Sequence, residues 1–185
     1  MSSDQNLEQL RLDFEQTTNR AVSLPISGAL VWTAVGIASL FLNQYNSTLV
    51  LLFATGAIFP LALGIAKLRN ENITSSVNPL SKLMAFGVLM VNLLWAVHVP
   101  LMLKAPQFVP LSVGIGLGLH WIIYSWIVQH PVGIIHAIMR TVLCVLVWLF
   151  VPENTLTFIS MGVIASYAVS IYLMFSRDIP GLDMH

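Results

Sequence analysis

Residues 114–144, GIGLGLHWIIYSWIVQHPVGIIHAIMRTVLC, decide the fold. Two apolar runs meet at His130-Pro131, a pair that favours a tight turn, so the stretch reads as a helical hairpin. His120, His130, His136 and Arg140 stand in it where lipid-soluble side chains would ordinarily be. The rest of the chain reads as a frame of hydrophobic helices around this hairpin.

Composition explains why. The chain has 185 residues, of which 57% are hydrophobic and 9% charged. Its mean hydropathy is +0.82. A water-facing surface needs roughly 25% charged residues, so the solvent for most of this chain is a bilayer. The net charge of zero provides no basic footprint for nucleic acid. The lone Cys144 excludes an intrachain disulfide and a cysteine zinc site. No signal peptide is expected, since residues 1–20 are polar and the first apolar run is too long for one.

A spanning helix takes about 20 apolar residues. Six runs qualify, near 22–43, 48–68, 81–103, 108–129, 132–151 and 155–175. The fold expected is all-α, a six-transmembrane-helix bundle with a short amphipathic N-terminal helix. With the N-terminus inside, the inner loops and ends hold Arg11, Arg20, Lys67, Arg69, Lys82 and Arg177, against Lys104 alone outside. The positive-inside rule therefore predicts N-in/C-in. The division is 1–21 cytoplasmic amphipathic helix, 22–175 membrane domain and 176–185 short cytoplasmic tail.

Within residues 4–20, Leu7, Leu10 and Phe14 form an apolar stripe, with Asp4, Glu8, Arg11, Asp13 and Glu15 opposite. This helix either leads along the interface into the first span or closes an inner vestibule as a flap. Pro60 predicts a kink. Gly56 and Gly64 beside it, the pairs Ser112/Gly116 and Gly114/Gly118, and the stripe Gly162, Ser166 and Ser170 predict close helix contacts.

Depth singles out the candidate site. His120 and Arg140 each lie about nine residues, roughly 13 Å, from the inner ends of their spans. His136 and Arg140 share a helical face, as do His120 and Tyr124, and Asn92 reaches a similar depth. The candidate ligand-binding set is therefore Arg140, His136, His120, Tyr124 and Asn92. A charge at that depth costs about 2.5–3.5 kcal/mol on insertion scales and marks a functional position by default. All eight acids lie outside the spans. Arg140 must then use backbone carbonyls with Asn92, His120 or Tyr124, or an anionic ligand or lipid phosphate, or an acid of the N-terminal helix. His130 is expected to be solvated and His98 to hydrogen-bond at a helix end. No metal, cofactor or catalytic set is expected: no aspartate lies in a span to complete a Ser/His/Asp set, and Gly114-x-Gly116-x-Gly118 sits inside a helix, not after a strand.

Several segments together resemble a known family. They are Leu10-Arg11-Leu12-Asp13-Phe14, Leu24-Pro25, Gly56-Ala57-Ile58-Phe59-Pro60-Leu61, Asn78-Pro79-Leu80-Ser81-Lys82-Leu83 and Gly118-Leu119-His120-Trp121-Ile122-Ile123-Tyr124-Ser125-Trp126 with Gln129. The chain resembles a small bacterial family of multi-pass proteins, domain of unknown function 7010, departing from it at Ile123, where the family carries a proline. The resemblance implies a bacterial inner-membrane location and no particular chemistry. The function expected is non-enzymatic: an inner-membrane protein that binds or passes a small anionic or proton-coupled solute at its His/Arg cluster. The alternative is a structural, lipid-interacting or partner-binding bundle. The partners expected are the bilayer and a small anionic ligand or lipid, with homo-oligomer formation left open.

Overall fold

The computed structural model describes residues 3–75 and 77–181, with side chains from Asn6 onward. Asp4's side chain and the last four tail residues, Asp183 included, lie outside the described residues. The described chain is all-helical, with no strand. Its helices are α1 (Ser3–Thr18), α2 (Ser23–Ser39), α3 (Gln44–Gly56), α4 (Ile58–Arg69), α5 (Pro79–Leu93), α6 (Trp95–Lys104), α7 (Val109–Gly116), α8 (Trp121–Val128), α9 (Val132–Phe150) and α10 (Thr155–Ser176).

Five stretches are long and apolar enough to cross a membrane, and a sixth qualifies if the bent pair α3 and α4 counts as one span. The 42° bend falls at Ala57. Pro60 has no N–H to return to the Gly56 carbonyl, and Ser27 of α2 donates to the Ile58 carbonyl at 2.8 Å just beyond the bend. The predicted kink is present, but the expected packing of Gly56 and Gly64 is not. A Cβ at either would meet nothing within 4 Å. The reason is rotational: α4 turns Ala62 and Ala66 inward, and Gly64, between them in sequence, faces away.

α10 is central, with α2 on one side and α9 on the other. Small residues allow these approaches. Gly28 lies under the Tyr167 ring, Gly36 against Ser160, and Gly162 against Leu143. The stripe read on α10 is thus a real contact face. At the α8–α9 turn, Gln129 is left-handed (φ 51°), and a Cβ at Gly133 would stand 1.8 Å from the Trp121 carbonyl oxygen. His130 is half-buried and accepts from the Val132 amide, capping α9 rather than merely meeting solvent.

α1 lies across one end of the bundle, against α5 and α8, and presents its apolar stripe inward. Phe14 is buried, with Leu7 and Leu10 packed on the core. Asn19, Arg20 and Ala21 link it to α2 through three consecutive left-handed residues.

Candidate functional site

The hairpin's first helix breaks at mid-length. Between α7 and α8 the amides of Gly118 and Leu119 bond back only three residues, to Ile115 and Gly116. Gly118 N–H therefore leaves the Gly114 carbonyl free, and Arg140 Nε of α9 donates to that carbonyl at 2.5 Å. Arg140 Nη1 donates to Tyr167 Oη at 3.1 Å, and Cζ stands 5.3 Å from the ring centroids of both Trp32 and Tyr167. The guanidinium is completely buried. Gly114 and Gly118 make room for it: a Cβ at Gly118 would meet Arg140 Cδ at 2.9 Å, and one at Gly114 would meet Cys144 Sγ at 2.9 Å. The pair Ser112/Gly116 faces α6 instead, where His98 Nδ1 and Ser112 Oγ are 3.0 Å apart. Both predicted small-residue pairs are used, each toward a different helix.

His136, one turn before Arg140 on α9, is completely buried too. Its ring stacks on Trp121 at 4.2 Å, and Nδ1 lies 2.8 Å from Ser170 Oγ. Ser170 already donates to the Ser166 carbonyl, so its oxygen accepts from His136 Nδ1–H and leaves Nε2 as a lone pair.

The other candidates sit elsewhere. Asn92 is exposed on α5, and its side chain makes no hydrogen bond among the described residues. Tyr124 is turned to the α1 end, donating to the Arg20 carbonyl at 3.2 Å. His120, at the helix break, has no partner for Nδ1 among the described residues. Asp13 and Glu15 of α1 do not reach Arg140 either: Asp13 accepts from Asn78 at 2.7 Å and Glu15 pairs with Arg177. Arg140 is held by one carbonyl, one phenol and two rings. Sequence reasoning missed Trp32 and Tyr167, which have no mark in the sequence and are found only through helix contacts.

A cavity of about 410 Å³ opens at the α1 end. Phe14, Leu24, Phe59, Met84, Trp121 and Met174 give it apolar walls. Lys82, Ser81, Ser75 and Thr74 form a polar rim, and His120 lies deep inside. Gly87 packs on Ile123 and His120, which places His120 five residues along α5 from Lys82, roughly 7 Å deeper. Arg140 and His136 are not in the wall; Trp121 separates His136 from the cavity.

An ionic network frames this end. Arg20 donates to the carbonyls of Met174 (2.9 Å) and Arg177. Glu71 accepts from the Ser23 amide at 2.9 Å and from Arg69 at 2.6 Å. Burial pushes Arg177 down to about 10, so it remains charged at neutral pH opposite Glu15.

Residues 7–177 match the model of the family of unknown function DUF7010. The chain belongs to this family. That membership agrees with the segments quoted from the sequence and with a set of apolar, membrane-length helices. No curated protein and no solved structure matches the chain.

Proposed function

We propose that this membrane protein binds an amphiphile with an anionic head in the α1-end cavity. One observation carries the proposal: an apolar chamber of about 410 Å³ with a lysine on its polar rim. Small-molecule sites are of this size and character, apolar walls with a few placed polar groups. The anion-facing charge is then Lys82, with Ser81 and Thr74 beside it, and His120 meets the deeper part of the ligand. Arg140 acts as a lock that closes the broken α7–α8 span. No catalytic step, metal or cofactor is assigned. The α1 end faces the cytoplasm of a bacterial inner membrane; the bias of six basic residues to one supports this orientation.

The test is thermal stability in a neutral detergent with dodecanoate, dodecyl phosphate or dodecanol. A ligand that binds only the folded state raises the melting temperature by mass action. The two anions should stabilise the wild type and the alcohol should not, and Lys82→Ala should abolish the difference. Equal responses to all three in both proteins would contradict the proposal.

A second assignment, a bundle whose polar residues only tie helices together, is favoured by the sealed position of Arg140. It requires that filling the cavity change nothing but stability.

A further inference from the structure

We infer a second binding site, independent of the cavity: a halide-sized monovalent anion held by the Nη2–H groups of Arg140 and the indole N–H of Trp32. The inference starts from donors that lack acceptors. A guanidinium presents five N–H groups and no acceptor. Arg140 places Nε–H on the Gly114 carbonyl and one Nη1–H on Tyr167, while Nη2 has no partner among the described residues. The Trp32 indole Nε1–H has none either. Both side chains are 0% exposed, and Arg140 Cζ lies over the Trp32 ring, 5.3 Å from its centroid, with the indole N–H at the ring's edge. Two orphan donors thus share one sealed neighbourhood, although burying a donor without an acceptor is costly.

Charge decides which acceptor these donors take. A buried ion carries a desolvation penalty of several kcal/mol, which the two ring faces against Arg140 offset only in part. Among the described residues the ion pairs are Arg69–Glu71 and Arg177–Glu15, so no carboxylate reaches Arg140. His136 contributes no second donor, because its Nδ1–H is committed to Ser170 and Nε2 is a lone pair. The missing group must therefore be an acceptor, negatively charged and small. Water satisfies the hydrogen bonds but not the charge. A carboxylate or phosphate ester brings a body, and the site lies outside the cavity wall that could house one. A halide meets all three demands.

The experiment uses the full chain in neutral detergent, with gluconate as the non-binding anion at constant ionic strength. Chloride and bromide are titrated against it and the melting temperature is read. The wild type should show a saturable rise with either halide. Trp32→Phe keeps the ring but removes the N–H, and should move the midpoint about tenfold or more to higher halide, the effect of losing one hydrogen bond to a charged group. Arg140→Gln should lose the response. A structure determined in bromide should show anomalous density between Arg140 Nη2 and Trp32 Nε1, a readout that needs no variant to fold. Equal melting temperatures in gluconate and halide, or bromide-free density at that point, would overturn the inference. Dodecanoate stabilisation should persist in gluconate, so the two sites stand or fall separately.

Discussion

At the residue scale, Arg140 and Gly133 show how one side chain is made possible by what its neighbours omit. Arg140 fits because Gly118 has no Cβ, and α8 meets α9 because Gly133 has none. Gly133→Ala drives a methyl into a backbone oxygen, which cannot move aside as a side chain can. Overpacking costs about 1–3 kcal/mol and occasionally more, so Gly133→Ala should lower thermal stability at the top of that range. Gly64→Ala, in open space, should be neutral or stabilising by up to about 1 kcal/mol. Equal losses for the two would refute this packing. Arg140→Leu orphans the Gly114 carbonyl and should cost about 1–3 kcal/mol. It should leave dodecanoate binding intact, because Arg140 is absent from the cavity wall; loss of binding in a folded variant would return Arg140 to the ligand site.

At the element scale, α1 docks through polar contacts from its second half: Arg11 to the Trp126 carbonyl, Asp13 and the Leu10 carbonyl to Asn78, Glu15 to Arg177, and Gln16 to the Pro180 carbonyl. Removing one partner of a buried pair leaves a charge stranded, at a cost on the order of 3 kcal/mol. Glu15→Gln should therefore loosen α1 and speed tryptic cleavage after Arg11 and Arg20, read by mass spectrometry. Unchanged cleavage would show that the apolar stripe alone holds α1. Much of this level was legible in the sequence. Apolar run length located the membrane-length helices, Pro60 marked the bend, and Leu7, Leu10 and Phe14 marked the buried face of α1. Rotation was not legible. Gly64 and Asn92 look like packing and site residues until α4 and α5 are seen to turn them outward, and nothing local encodes which face of an apolar helix finds a neighbour rather than lipid. For the same reason Trp32 and Tyr167 could not be matched to Arg140, nor Lys82 and His120 to a common cavity.

At the scale of the whole molecule, Arg20, Arg69 and Arg177 lie at helix ends on the side where α1, with its own Arg11, crosses the bundle, and Lys104 ends α6, whose span begins at the α1 end with Pro79. Cys144 is buried and free, so an added cysteine is the only one a membrane-impermeant maleimide should reach. In an expressing bacterium, Lys104→Cys should label on intact spheroplasts, and Asn72→Cys only after permeabilisation. The reverse pattern would invert the orientation. The central claim concerns the cavity beneath α1, and it is tested most directly by equilibrium binding of radiolabelled dodecanoate to the purified protein and to Ala85→Trp, which places an indole at the cavity wall. Saturable binding at one ligand per chain in the wild type, lost in a folded Ala85→Trp, is the predicted result. Non-saturable uptake, or the same binding in both proteins, would contradict it.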